Sequence, residues 1–156
     1  MADNPKNIWI ELKARLENNP VLSRYAPVYE LYKELIPDQE GQFIVMRYDR
    51  SDERYEDFPN RKIATLHIYF DLNTPIKGRT KIMTGDDQYK GVFDFITDVE
   101  NALMQNQAGS AADLGINSLG FKPLITQSDA GIKKDTVYCV TLELTIEGLI
   151  FNEGVR

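Results

Sequence analysis

The only histidine of this chain, His67, lies in "KIATLHIYFDL", residues 62–72. Ala64, Leu66, Ile68, Phe70 and Leu72 alternate there with Thr65, His67, Tyr69 and Asp71. That is the period of a strand with one apolar face. An imidazole held by a carboxylate can act as a general base. Asp71 shares the face of His67 but stands four residues on, about 13 Å along a strand. That is too far to orient the ring directly. A glutamate from the last strand could orient it if the two strands pair. The chemistry would then be that of a base in a His/Glu pair. The plainer reading is a polar residue on a wet sheet face, because neither a nucleophile nor a metal partner accompanies it.

The carboxylate pairs carry less. Asp86-Asp87 and the Asp49, Asp52, Glu53 group do not fit a calcium-loop spacing. The first suits the N-terminal end of a helix, where negative charge meets the dipole favourably. The second reads as a solvated loop. "IKGRT", residues 76–80, lacks the glycine-rich lead-in of a phosphate loop and reads as a basic loop. Dinucleotide, P-loop, nucleophile-elbow and zincin signatures are absent. The single cysteine, Cys139, excludes an internal disulfide and falls within a strand pattern, as a small buried hydrophobe would. No cofactor, no metal and no catalysis are expected.

The elements that must position these residues alternate between two periods. "PKNIWIELKARLEN", residues 5–18, predicts a helix with Ile8, Trp9, Leu12 and Leu16 on one face, stopped by "NNP". A shorter helix is expected over residues 28–36. Strands are expected over 42–48 and 62–72, with residues 49–61 between them as a long loop or as frayed strand ends. Thr84 and Asp87 resemble a capping box, so the next helix should run from 84 to about 105. Its expected stripe is Tyr89, Val92, Phe93, Ile96, Val99 and Leu103, broadened by Phe95, with Gly91 weakening the first turn. A third strand is expected over 121–127 and a turn over 128–135. The last strand, "YCVTLELTIEGLIF", has a dry face of Val140, Leu142, Leu144 and Ile146. Thr141, Glu143, Thr145 and Glu147 make its other face, and Gly148 breaks the register.

The order predicts a single α+β domain over 1–156. Its sheet would be antiparallel and four-stranded, built from two hairpins, with the N-terminal helix and the central helix packed on one face. The 156 residues, 42% of them hydrophobic, suffice for one core. With 24 acids against 18 bases the formal net charge is −6, which disfavours free nucleic acid as a partner. The N-terminal residues lack a signal pattern, and no run is long enough to span a bilayer. A soluble protein made in a cytoplasm is expected.

Three stretches have little period: 49–61 with mixed charge, 73–87 with Lys77, Arg79 and Lys81, and 105–120 with small polar residues. Loops of that length are usually functional or disordered. Their chemistry suits docking to protein neighbours better than a rigid catalytic pocket.

A leading helix, a hairpin, a loop, a helix reading "YKGVFDFITDVENALMQ", and a closing hairpin ending "VYCVTLELTIEGLIF" follow one another. This layout resembles the tail terminator proteins of long-tailed bacteriophages, also called tail-completion or minor tail proteins. The resemblance spans nearly the whole chain and rests on element order, size and the closing strand. It implies a homo-oligomer, a hexameric ring that caps the tail tube protein, stops tube polymerisation and presents a surface to a neck or head-completion protein. It further implies residence in the virion tail after assembly in the host cytoplasm, with DNA passing through the lumen without specific binding and no membrane contact. In such rings a sheet faces the channel, so Glu143, Glu147 and Asp71 are the candidate lumen-facing residues, where like charge keeps DNA from adhering. Ring closure is heterologous. Lys77, Arg79 and Lys81 are the candidate contacts with a neighbour or the tube, and Asp52 and Glu53 the acidic partners. The alternatives are a neck or head-tail connector component, and a small α+β enzyme using His67, Tyr69 and a facing Glu.

Overall fold

Helix α1 (Pro5–Glu17) buries Ile8, Leu12, Arg15 and Leu16 on one stripe. It ends where Asn19 takes over. The Asn19 Oδ1 accepts from the backbone N–H groups of Val21 and Leu22, each at 3.0 Å, and turns the chain into a single 3-10 turn, Leu22–Arg24. The computed structural model describes residues 5–30, 41–56, 61–104, 123–134 and 136–152.

Five strands make one sheet: β1 (Val28–Tyr29), β2 (Phe43–Glu56), β3 (Arg61–Pro75), β4 (Pro123–Lys133) and β5 (Val137–Asn152), in the order β1-β2-β3-β5-β4. Helix α2 (Val92–Leu103) lies between β3 and β4 in the chain. The architecture is α+β, with two hairpins around one strong helix. The sheet corrects the four-stranded antiparallel expectation. Val28 and Tyr29 are strand rather than helix, and pair parallel to Ile44 and Val45. The residues are β-branched and aromatic, which suits a pleated surface. Residues 31–36 of the helix expected over 28–36 fall outside the described residues, as does the whole loop over 105–120.

The stretch 49–61 proves to be strand rather than loop at both ends. Strand β2 continues to Glu56 and β3 begins at Arg61, with a bulge between Tyr48 and Arg50 absorbing one residue. On the other side, Ala64 opposes Leu149 while Leu66 opposes Ile146, so the irregularity falls at Glu147 and Gly148, where a register break was expected. The turn placed at 128–135 is shorter. Strand β4 runs to Lys133, and Lys134 takes a positive φ of 52°.

Ile44, Met46, Ala64, Leu66, Ile68, Phe70 and Leu72 join Val140, Leu142, Leu144 and Ile146 in the core against α1 and α2. Helix α2 contributes Val92, Phe95, Val99, Ala102 and Leu103. Phe95 therefore points inward, while Phe93, expected in the stripe, is 60% exposed. Arg15 locks the two helices together. Its Nη1 donates to the Leu103 carbonyl at 2.6 Å, placing a buried cation on an unpaired carbonyl at the end of α2.

Helix α2 starts later than its expected capping box. Asp86, not Thr84, organises the approach: its Oδ1 accepts from the N–H groups of Gln88 and Tyr89 at 2.9 and 3.0 Å. The N-cap is Gly91, which has no side chain to offer. Carbonyls of the preceding loop supply the capping instead. Val92 N–H donates to Ile82 O at 3.0 Å and Phe93 N–H to Met83 O at 3.3 Å.

Tyr25 closes the far side of this layer. Its hydroxyl donates to Asp98 Oδ2 at 2.5 Å, and its ring meets Phe95 edge-on. Burial first, and then the hydrogen bond and charge of Asp98, push the phenol well above the usual tyrosine range. The folded state keeps a proton that the unfolded chain releases at about pH 10. Stability contributed by Tyr25 is complete below that pH and falls as pH rises above it. Urea melts of the native chain between pH 8 and 11 should show this loss, and Tyr25→Phe should flatten it.

Candidate functional site

Two clusters sit side by side on the sheet face opposite the helices, because β3 and β5 pair with Tyr69 opposite Glu143 and Asp71 opposite Thr141. Residues two apart on a strand share that face, and diagonal neighbours lie within reach of long side chains.

In the first cluster His67 of β3 stands between two carboxylates. Its Nδ1 is 2.9 Å from Glu143 Oε2 on β5, and its Nε2 is 3.0 Å from Asp52 Oδ2 on β2. Arg50 Nε also approaches Asp52 Oδ2, at 3.3 Å. The ring is only 10% exposed in its side chain, against 60% for Asp52. The expected facing glutamate is thus Glu143, and Asp71 does not touch the ring. Asp52, read at first as a loop carboxylate, is a strand residue that closes the other side.

In the second cluster Asp71 is the hub. Arg47 of β2 grips it with Nε to Oδ2 at 2.5 Å and Nη2 to Oδ1 at 3.0 Å, a two-point fork. Thr141 Oγ1 of β5 donates to Asp71 Oδ1 at 2.6 Å. Asn73 Nδ2 donates to the Asp71 backbone carbonyl at 3.1 Å. The Arg47 guanidinium lies over the Tyr69 ring, 4.9 Å from its centroid. Its titration is pushed further up, first by the hydrogen bond to Asp71. Asp71 is 7% exposed, Thr141 7% and Asn73 0%.

These positions change what the face can do. Asp71 is nearly buried and neutralised by Arg47, so it does not present a free negative charge. Glu143 is partly buried and turned to His67. The Glu147 side chain lies outside the described ones. Catalysis gains little from the arrangement. Both imidazole nitrogens are occupied by carboxylates. Ser51, the hydroxyl on the neighbouring strand, donates to Glu53 at 3.2 Å. Among the described residues no group of three or more His, Cys, Asp or Glu side chains is placed to hold a metal. Two shallow clefts lie elsewhere, one beside Asp86 and Gly91 and one at the end of α1.

The basic loop is equally specific. Lys77 and Lys81 are exposed. Arg79 is turned inward: its Nε binds Asp86 Oδ2 at 2.8 Å, its Nη1 donates to Pro75 O at 2.8 Å, and the group covers the Tyr89 ring at 4.6 Å. With its side chain 4% exposed, it fastens the loop rather than reaching a neighbour. Asp86 is drawn down to about 2, chiefly by the Arg79 hydrogen bond and then by the N–H groups of Tyr89 and Gln88. That fastening is present above the ordinary carboxylate range and lost as pH falls through about 2. Gln42, the residue before β2, binds the same loop, donating to Lys90 O at 2.9 Å and accepting from Lys90 N–H at 3.1 Å.

Arg47, Thr141 and Gln42 carry no motif. The strand register, which decides what lies opposite what, brings Arg47 and Thr141 to Asp71, and the fold of the loop before α2 brings Lys90 to Gln42. No protein-family model matches this chain, and no curated protein matches it either.

Proposed function

We propose that this chain is a structural protein of a phage tail, a ring-forming tail terminator that caps the tail tube, ends its polymerisation and offers a surface for head joining. The observation that carries the reading is the arrangement of its second sheet face. A helix layer covers one side of the sheet, and the other side is built of ionic pairs that hold three strands together rather than of a nucleophile and a base. A wall of paired charge suits a channel that DNA must traverse without sticking, since among the described residues Arg47, Arg50 and Lys133 each meet a carboxylate before they could meet phosphate. Glu143, held by His67, belongs to that wall as one of its paired charges. Asp71 stiffens the wall from within. Lys77 and Lys81, exposed on the fastened loop, are the contacts with a neighbour or the tube. Arg79 holds their loop in shape.

Native mass spectrometry over a range of concentrations, with negative-stain images of the same samples and of samples mixed with tubes, tests the reading. A closed ring of fixed subunit number around an open centre, free or at tube ends, is the expected result. Loss of the protein during assembly should give overlong tails. Normal-length tails that fail to join heads would overturn the terminator role in favour of a neck component. His67→Ala should leave ring formation intact, and Lys77→Glu with Lys81→Glu should weaken it without lowering the melting temperature.

A further inference from the structure

Among the described residues, strand β4 has a hydrogen-bonded neighbour on one side only, β5. Leu124, Thr126–Ala130 and Ile132–Lys134 are exposed along it. An open edge of this kind invites another strand unless it is guarded. Pro123 opens the strand, a bulge falls between Gln127 and Asp129, and beyond the bulge the strand's exposed charges are Asp129 and Lys133, opposite in sign, which admit a self-complementary edge more readily than a foreign one. From Asp129 to Lys133 the ladder with β5 is regular.

That regular segment is complementary in charge to its own reverse, with Asp129 at one end and Lys133 at the other. Asp129, Gly131 and Lys133 pair with Thr141, Cys139 and Val137 and so share the face of the ionic clusters. Ala130 and Ile132 pair with Val140 and Tyr138 on the helix side. We propose that residues 129–133 pair antiparallel with the same residues of a second copy of this chain, about a two-fold axis at Gly131. In that register each Asp129 faces the other copy's Lys133, and each Ala130 faces the other copy's Ile132. Opposite charges directly across a strand pair favour it, and like charges oppose it. Ile132, 60% exposed in the single chain, gains a small apolar partner. Gly131 leaves the axis clear, because a Cβ built there meets nothing within 4 Å. Lys133 and Asp129 are already 3.4 Å apart within each chain, so dimerisation exchanges the two internal ion pairs for two across the axis, with no change in their number. The pairing makes one continuous sheet of two copies. It closes on itself, is concentration dependent, and stands apart from the ring reading.

Sedimentation of the full chain from micromolar to hundreds of micromolar tests it. Wild type should pass from monomer to dimer. Asp129→Lys alone places Lys against Lys, and Lys133→Asp alone places Asp against Asp, so each variant should dimerise at least ten-fold more weakly. An equimolar mixture should dimerise again, because only the heterodimer restores both cross-axis pairs. The internal pair is broken in both variants, so recovery on mixing isolates the interface. Thermal melts verify that each variant folds. A second, independent readout is Gly131→Cys in a Cys139→Ala background, which should give a disulfide-linked dimer on mild oxidation, the two Cα atoms lying within bridging distance across an antiparallel pair. Three results would each overturn the pairing: a wild type that stays monomeric throughout, single variants that dimerise like wild type, or weakened variants that do not recover on mixing. A larger closed ring that forms equally well in both variants would overturn it too, while leaving the ring reading standing.

Discussion

Gly91→Ala should lower the stability of this protein by about 3 kcal/mol or more, a drop of roughly 10 °C in melting temperature for a chain of this size. Glycine is not needed there for its backbone angles, which are an ordinary φ of −68° and ψ of 155°. It is needed for space. A Cβ at Gly91 would stand 2.5 Å from Met83 O, 2.5 Å from the Thr84 carbonyl carbon and 2.7 Å from Gly85 N. All three are backbone atoms, so no side-chain rotation relieves the clash. The loop would have to retreat, and its retreat pulls away the Ile82 and Met83 carbonyls that satisfy the first N–H groups of α2. Gly85 stands on the other side of the same contact with a φ of +95°, so Gly85→Ala should be harmful for two reasons at once. Gly41→Ala is the control: a Cβ there meets nothing within 4 Å, and the change should fall within about 0.5 kcal/mol. Urea denaturation of the three variants checks the order. A Gly91→Ala protein as stable as the control would mean that the loop is not fastened as described.

The same loop shows where the sequence was readable. Hydrophobic alternation placed the apolar faces of β3 and β5 correctly, residue by residue, because a period of two needs only local information. It also located α1 and its stop at "NNP". Periodicity failed at the loop over 73–87, which looked structureless. Its order comes from one contact distant in sequence, Gln42 with Lys90, from the aperiodic local contacts of Arg79 with Pro75 and Asp86, and from two glycine backbones in contact. Thr84 with Asp87 satisfied a capping pattern, yet the positive φ of Gly85 interrupts any helix there. Parallel strand β1 was invisible because two residues carry no period. For the site, the strand period gave the shared face of His67 and Asp71 and admitted a glutamate partner for the ring. It could not say which glutamate, nor reveal Arg47 and Thr141. Partners across a sheet depend on register, and bulges at Tyr48/Arg50 and Ala64/Leu66 shift that register by a residue.

Asp71→Ala should destabilise the chain by about 2–3 kcal/mol at neutral pH, the second large effect. The loss is more than the three hydrogen bonds that the carboxylate accepts. Arg47 would keep its charge, 36% exposed in its side chain, with no carboxylate to answer it, and the nearly buried Thr141 hydroxyl would lose its acceptor. The exposure of Arg47 keeps the figure below that of a fully buried pair. Asp71→Asn should recover part of the loss, because an amide oxygen still accepts from Thr141. Replacing both ends, Arg47→Met with Asp71→Leu, should be milder than Asp71→Ala alone, since no stranded charge remains. The double-mutant cycle over Arg47 and Asp71 should give a coupling of about 1–2 kcal/mol. A coupling near zero would mean that the fork adds no stability and that the Thr141 contact alone matters. The network has a second consequence that follows from its geometry. Arg47, Asp71 and Thr141 come from β2, β3 and β5, and a slip of one residue in either pairing turns one of them to the helix side. Met46 or Leu72 would then meet the polar face. The ionic cluster therefore selects one register for three strands, and the variant lacking both charges should show broader amide resonances across β2 and β3 even where its melting temperature is preserved.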